Sequence, residues 1–272
     1  MSKAIPLFFW SSKVFENKPL ENYGDLLSPY IVEQLSGERV AFYNAPKARK
    51  KWFTKKYLMA IGSIMTYASK KALVWGCGII SRQDQFQDAQ FYAVRGPLSR
   101  KRIQDLGYSC PEVYGDPALL LPLYYKPAVQ DEEYDLGIIP HYVDFEKAQV
   151  LIPSSNNTTV INLLTPNALQ TTNELCACKA ILSSSLHGLI VAHAYGIPAV
   201  WVRFSDKLSG DNVKFEDYFR SVGIAPYEGV LITEQLSESY CKTIIEQHVT
   251  LPKEGVVSAI QESLIEAFPR FK

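Results

Sequence analysis

The chain has 272 residues, enough for one large domain or two modest ones, which excludes a disordered protein or a miniature disulfide-stapled fold. Its 28 Lys and Arg residues balance its 28 Asp and Glu residues, so no overall charge would attract nucleic acid. Five cysteines without a CxxC spacing indicate reduced thiols, and no apolar run approaches the ~18 residues of a membrane span. We therefore expect a cytoplasmic protein that binds neither metal nor nucleic acid.

Short apolar runs predict buried strands along the whole chain, because parallel strands covered on both faces read as continuous apolar segments. In chain order these runs occupy residues 3–10, 38–45, 57–64, 72–80, 91–96, 134–141, 148–153, 158–164, 178–185 and 197–202. Helices are predicted between or after them at residues 26–35, 98–106, 186–195, 215–222 and 255–268. This alternation predicts an α/β fold with layers of helices around sheets.

A break in this pattern predicts the domain organisation. Proline and charged residues interrupt the apolar rhythm at residues 124–133, and a new strand is predicted from Tyr134. We predict two Rossmann-like domains that face a cleft, residues 1–125 and residues 134–272, with the last helix able to pack on the N-terminal half. Ligands of such sheets bind beyond the carboxyl ends of the strands, so residues there are candidates for the site.

The most informative window is residues 181–201, where a strand leads into three serines, a His-Gly pair and an apolar helix. A helix N-terminus offers unpaired N–H groups and a positive dipole end, so Ser184, Ser185 and Gly188 predict binding of a carboxylate or phosphate. His187 is the histidine placed for proton transfer. The alternative is that Ser184 or Ser185 only caps the helix and that His187 packs at its start.

This window resembles the polysaccharide pyruvyl transferases, whose members carry Ser-x-x-His-Gly ahead of an apolar helix and a Gly-Ile-Pro turn. Further blocks similar to that family follow one another along most of residues 20–220. They are Asn-Tyr-Gly-Asp at 22–25, Ile-Gly-Ser-Ile at 61–64, Trp-Gly-Cys-Gly-Ile at 75–79, Val-Arg-Gly-Pro-Leu-Ser at 94–99, Gly-Asp-Pro-Ala at 115–118 and Gly-Ile-Ile-Pro-His at 137–141.

The resemblance implies a two-domain fold like that of GT-B glycosyltransferases, with phosphoenolpyruvate as donor and no cofactor. It also implies that a hydroxyl pair of a surface polysaccharide, or of a lipid-linked precursor, becomes a cyclic pyruvate ketal. Two alternatives are a nucleotide-sugar-dependent GT-B glycosyltransferase and a non-enzymatic α/β sugar-binding protein. The glycosyltransferase would need a nucleotide pocket, and no GxGxxG motif follows a strand here.

Phosphoenolpyruvate carries a carboxylate and a phosphate, so its pocket needs cations or convergent N–H donors. Arg95 lies between a predicted strand and a predicted helix, where its planar fork would bind the donor; the alternative is a surface ion pair with Asp88 or Asp105. Lys214, in a Lys-x-x-Asp-Tyr element similar to the family's, would add charge for the phosphate. Its alternative is a solvated lysine at a helix end.

Ketal formation needs an acid and a base, and His141 and Asp116 are further catalytic candidates beside His187. His141 directly follows a predicted strand, whereas Asp116 lies in a Gly-Asp-Pro turn and would alternatively cap the residues after Pro117. Asn22 and Asp25 precede a predicted helix and would hold the hydroxyls of the acceptor sugar. The alternative for Asp25 is that it caps that helix.

One local cluster of charge stands out in this neutral chain. Basic residues surround Trp52 and Phe53 within residues 47–56, namely Lys47, Arg49, Lys50, Lys51, Lys55 and Lys56. The pattern predicts peripheral contact with an anionic membrane that presents a lipid-linked acceptor. A solvated loop is the alternative.

Overall fold

The computed structural model describes residues 4–45, 47, 55–127, 133–152 and 157–271. Its strands are β1 Ile5–Phe8, β2 Glu21–Asn22, β3 Val40–Phe42, β4 Tyr57–Met59, β5 Ala72–Trp75, β6 Gln90–Ala93, β7 Leu136–Ile139, β8 Thr158–Val160, β9 Leu164–Thr165, β10 Ile181–Ser183, β11 Ala199–Arg203 and β12 Val230–Leu231. Its α-helices are α1 Ser12–Glu16, α2 Tyr23–Ser36, α3 Pro97–Asp105, α4 Leu121–Tyr124, α5 Phe145–Leu151, α6 Ala168–Cys176, α7 Leu186–Ala194, α8 Val213–Ser221, α9 Glu238–Glu246 and α10 Val256–Glu266. Short 3₁₀ helices occupy Met65–Tyr67, Pro117–Leu120 and Tyr142–Asp144.

Ten of the strands form two parallel five-stranded sheets, which confirms the predicted α/β class. The first sheet has the order β3-β1-β4-β5-β6 and the second has the order β12-β11-β10-β7-β8. In the first sheet, β3 lies on one side of β1, and β4, β5 and β6 lie on the other side. In the second sheet, β8 lies on one side of β7, and β10, β11 and β12 lie on the other side. The strand order therefore reverses between β1 and β4 in one sheet and between β7 and β10 in the other, and such reversals create ligand crevices.

The predicted strand at residues 148–153 is wrong, because α5 covers most of that run. Ala148 and Ile152, four residues apart, are both buried, whereas Val150 between them is 78% exposed. That spacing follows the 3.6-residue period of a helix rather than the alternation of a strand. An apolar run of six residues is too short to distinguish the two periods by composition alone.

Three features join the two sheets. Strand β2 pairs with β9 in an antiparallel ribbon, and one continuous hydrophobic core contains side chains from both sheets. The last helix, α10, packs on the first half of the chain, where the indole N–H of Trp75 donates to the carbonyl of Leu264 at 2.9 Å. A boundary between two domains at residues 124–133 stays a prediction.

Within the residues that the structure describes, no helix is long and apolar enough to cross a membrane. All five cysteines are free thiols. The predicted membrane-contact segment, residues 47–56, lies outside the described residues except for Lys47, Lys55 and Lys56.

Candidate functional site

The reversal points of both sheets border one cavity of about 330 Å³, a volume typical of sites for small molecules. Several of the residues that line it follow the carboxyl ends of the strands on either side of each reversal: Trp10 after β1, Gly62 and Ser63 after β4, His141 and Tyr142 after β7, and Ser185 and His187 after β10. A larger cavity of about 750 Å³ lies at the amino ends of strands in the first sheet and contains none of the predicted site residues. The smaller cavity is therefore the candidate site.

The structure brings six of the ten predicted site residues to this cavity and leaves four behind its walls. The lining residues are Asn22, Asp25, His141, Ser185, His187 and Lys214. The other four are Arg95, Asp116, Ser184 and Gly188, all of which are buried. Residues from both halves of the chain thus converge although up to 192 positions separate Asn22 from Lys214.

His187 and Asp116 face each other at the site, each with a buried polar atom that lacks a hydrogen-bond partner in the part of the chain that the structure describes. His187 Nε2 lies 3.7 Å from Asp116 Oδ2, and neither atom has a hydrogen-bond partner among the described residues. The other oxygen of Asp116 accepts the N–H of Ala118 at 3.0 Å and so caps the 3₁₀ helix Pro117–Leu120. Asp116 thus has the predicted capping role, and its second carboxylate oxygen faces the histidine that lines the cavity.

Two glycines, Gly24 and Gly188, leave the space that the position of His187 requires. A Cβ on Gly24, in the first turn of α2, would overlap the imidazole Nδ1, so the ring packs directly against the helix backbone. A Cβ on Gly188 would overlap the hydroxyl of Ser183, so that glycine lets α7 begin close to β10. The imidazole is thereby fixed between the start of α2 and Asp116.

The three serines before α7 have different partners, and the capping alternative is wrong. Ser185 is the N-cap residue, yet its hydroxyl makes no capping hydrogen bond. The Ser184 hydroxyl accepts the N–H of His141 at 2.8 Å, and the Ser183 hydroxyl donates to the carbonyl of Ile139 at 2.9 Å. Ser184 therefore holds the loop that carries His141, while Ser185 faces the cavity beside the unpaired N–H groups of the helix start.

Asp25 lies in the first turn of α2 rather than at its cap, because the helix begins at Tyr23, three residues earlier than predicted. The capping alternative is therefore wrong for Asp25. Its Oδ2 accepts a hydrogen bond of 2.9 Å from the Asn22 side-chain amide. Burial raises the pKa of Asp25 to about 7, although Asn22 and His187 oppose the shift. This carboxyl can exchange protons near neutral pH.

Lys214, in the first turn of α8, is buried and lines the cavity, so the solvated alternative is wrong. Burial, together with the nearby charge of Arg95, lowers the pKa of Lys214 to about 8. Burial lowers the pKa of His141 to about 3, with smaller effects from Lys214 and His187. At pH 7, Lys214 is therefore a cation, whereas His141 is neutral and resists protonation.

Arg95 is fully buried and does not line the cavity. Its guanidinium pairs with Asp217 Oδ2 at 3.1 Å, so a surface ion pair with Asp88 or Asp105 is wrong. It also donates to the hydroxyl of Ser63 at 2.7 Å, and Ser63 lines the cavity. Arg95 thus supports the cavity wall through one intervening side chain.

Sequence reasoning missed Trp10, Glu16, Ser63, Tyr67 and Tyr142, all of which line the cavity. Trp10 and Ser63 lie at the carboxyl ends of predicted strands, so the same argument that selected His141 would have found them. Nothing in the sequence around Glu16 indicates that it lies in the site, because its position there depends on how α1 packs. Among the described residues, no group of three or more His, Cys, Asp or Glu side chains is arranged to hold a metal ion.

Comparison with known proteins agrees with the motifs of this site. The family model described as polysaccharide pyruvyl transferase matches residues 22–206. An uncharacterized protein of Acanthamoeba polyphaga mimivirus is 30% identical over 210 residues, which are 75% of this chain and 71% of the viral protein. No solved structure matches. The family match spans most of the chain and runs from Asn22 past the Asp116–His187 pair, so the chain belongs to the polysaccharide pyruvyl transferase family.

Proposed function

We propose that the protein transfers the pyruvyl group of phosphoenolpyruvate to two hydroxyls of a sugar in a surface polysaccharide or its precursor, forming a cyclic ketal. The observation that carries this proposal is the Asp116–His187 pair in the same cavity as the buried cation Lys214 and the start of α7. In this proposal the two sheets belong to two Rossmann-like units that face each other across the cavity, an arrangement like that of GT-B enzymes.

The donor is held on the cationic side of the cavity. Lys214 supplies positive charge for the phosphate, and the N-terminus of α7, with the hydroxyl of Ser185, supplies donors for an anionic group. Arg95 acts through Ser63, whose hydroxyl oxygen it holds in place.

The reaction removes two protons from the acceptor and delivers one to C3 of the donor and one to the departing phosphate. Protonated Asp25 gives its proton to C3 of phosphoenolpyruvate, and His187 takes the proton of the first hydroxyl as its oxygen bonds to C2. The second hydroxyl then bonds to C2 and returns a proton to Asp25, while the C2–O bond to phosphate breaks and His187 protonates the departing phosphate. Asp116 stabilises the imidazolium between these steps.

The first test is turnover. Purified protein is incubated with phosphoenolpyruvate and a panel of β-galactosides, and phosphate release and ketal formation are measured by colorimetry and mass spectrometry. UDP-sugars in parallel reactions test the glycosyltransferase alternative. Phosphate release that requires an acceptor supports the proposal, whereas UDP release with no pyruvylated product contradicts it.

The second test asks whether His187 and Asp116 take part in the reaction. We expect His187→Gln to lower kcat by about 10²- to 10⁴-fold, because a positioned acid–base group contributes on that scale, while phosphoenolpyruvate still binds in calorimetry. Asp116→Asn should lower kcat in the same direction by a smaller factor. His248→Gln is the matched control, since His248 lies outside the cavity. Near-normal turnover of His187→Gln would contradict the role given to His187.

A further inference from the structure

We propose that Trp10, Glu16 and Tyr142, here called the acceptor wall, bind the acceptor sugar, with the Glu16 carboxylate accepting two neighbouring hydroxyls. The inference rests on the proposed function and names which part of the cavity receives the neutral substrate. The three residues line the same cavity as His187 and Lys214. Neither the motifs of the chain nor the proton-transfer scheme uses them.

Two hydrogen-bond donors fix the Glu16 carboxylate. The indole N–H of Trp10 donates to Oε1 at 2.7 Å, and the hydroxyl of Tyr142 lies 3.0 Å from Oε1 and 2.9 Å from Oε2. An ionised carboxylate accepts about four hydrogen bonds, so two donors leave acceptor positions for ligand hydroxyls. Because Tyr142 follows β7 and Glu16 ends α1, the carboxylate is held from both halves of the chain.

The charges of the cavity separate the two substrates. The Glu16 carboxylate lines the cavity and repels the carboxylate and phosphate of phosphoenolpyruvate. Lys214 and the start of α7 attract those groups instead. A sugar is uncharged and rich in hydroxyl donors, which suits a carboxylate, and the partly exposed indole of Trp10 offers apolar surface to its C–H groups.

The acceptor wall also lies next to the reacting groups. The rings of Tyr142 and His141 are 4.3 Å apart between centroids, so a sugar bound to Glu16 meets the His141 loop. Burial chiefly, and the charge of Glu16 to a smaller extent, raises the pKa of Asp25, so the two carboxyl groups are electrostatically coupled. Glu16 and Asp25 therefore lie close enough within one cavity to act on the same bound sugar.

The test compares Glu16→Gln with wild type, because glutamine keeps the shape of the side chain and still accepts from Trp10 and Tyr142. Saturation-transfer NMR with methyl β-galactoside and related methyl glycosides, without phosphoenolpyruvate, measures sugar binding directly. Steady-state kinetics measure KM for each substrate. We expect the acceptor KM to rise about 10- to 100-fold, since hydrogen bonds to a charged group are lost, with KM for phosphoenolpyruvate unchanged.

Two further variants make the test specific. Trp10→Leu removes the aromatic surface and should also raise the acceptor KM, by about tenfold. Glu146→Gln is the matched control, because this exposed carboxylate lies on α5, after Tyr142, and outside the cavity. Circular dichroism and melting temperature confirm that each variant is folded.

The outcomes separate this inference from the proposed function. An unchanged acceptor KM in Glu16→Gln, with turnover intact, overturns the acceptor wall and leaves the pyruvyl transfer standing. A raised KM for phosphoenolpyruvate in place of the acceptor also overturns it. Sugar binding that depends on Glu16 in a protein that never releases phosphate supports the acceptor wall and contradicts pyruvyl transfer.

Discussion

At the scale of single residues, the cavity changes how ordinary side chains titrate. Lys214 is the cation that lines the site among the described residues, and burial lowers its pKa to about 8. The pKa of Asp25 is raised, to about 7, because burial also disfavours the charged form of this side chain. Both groups change protonation close to neutral pH, whereas an exposed lysine and an exposed aspartate do not.

Donor binding should therefore weaken as the pH rises. Lys214 is an ammonium below its lowered pKa and loses its charge above pH 8, while the phosphate of phosphoenolpyruvate stays ionised. We expect calorimetric Kd values to rise slightly as Asp25 ionises around pH 7, and by about tenfold per pH unit well above pH 8 as Lys214 loses its charge. Lys214→Arg is the control, because a guanidinium does not deprotonate in this range. A wild-type Kd that is flat up to pH 9.5 would contradict this assignment.

At the scale of elements, α8 is attached to the start of α3 by one carboxylate. Asp217 on α8 accepts the backbone N–H groups of Leu98 at 2.8 Å and Ser99 at 3.0 Å. Its second oxygen accepts the Ser99 hydroxyl at 2.6 Å and pairs with Arg95. Gly96 permits this contact, because a Cβ there would overlap the Asp217 backbone. One side chain thus caps a helix of the first half and neutralises a buried guanidinium.

Asp217→Asn should destabilise the protein strongly. The substitution keeps the shape of the side chain but leaves the buried charge of Arg95 without a countercharge, which typically costs about 3–5 kcal/mol. The free energy of unfolding is measured in urea. Asp211→Asn is the matched control, since its partly exposed pair with Arg82 contributes at most about 1 kcal/mol. A loss for Asp217→Asn no larger than that of the control would show that the pair is dispensable.

At the scale of the whole molecule, the end of the chain stabilises its beginning. Leu264 on α10 is fully buried and lies close to Gly115, where an added Cβ would be 3.0 Å from the Leu264 Cδ1. Two residues after this helix ends, the ring of Phe268 packs edge-on against Trp75 of the first half, with 4.9 Å between the ring centroids. The hydrophobic core is therefore continuous between residues that are nearly 200 positions apart.

Leu264→Ala should cost about 2–5 kcal/mol of unfolding free energy, because it removes buried methyl groups and leaves a cavity against the first half. Ile265→Ala on the same helix is the control, since that side chain is 39% exposed and should cost less than about 1 kcal/mol. Thermal unfolding followed by circular dichroism and by intrinsic tryptophan fluorescence compares the two. Equal losses would mean that α10 does not anchor the first half.

Local patterns were enough for the elements and for part of the site. Apolar runs located nine of the ten strands of the two sheets and missed the edge strand β12, and the helix over 186–195 was predicted within one residue of α7. His141, Ser185 and His187 were predicted because each follows a strand, and the carboxyl end of a strand can be recognised from the adjacent residues in the sequence. The start of α2 was placed three residues late, since Asp25 has the composition of a helix cap without making its hydrogen bond.

The amino-acid sequence by itself determined the α/β class, the family and the histidine at the start of α7, because these depend on contiguous residues and short-range periodicity. Only the tertiary structure decided which side chains meet. Arg95 pairs with Asp217 rather than with a sequence neighbour, Asp116 reaches His187, and Glu16 receives hydrogen bonds from Trp10 and Tyr142. Which charged and polar side chains become partners depends on how the two sheets pack around a common cavity. The spacing of two residues along the sequence does not indicate the distance between them in the folded protein.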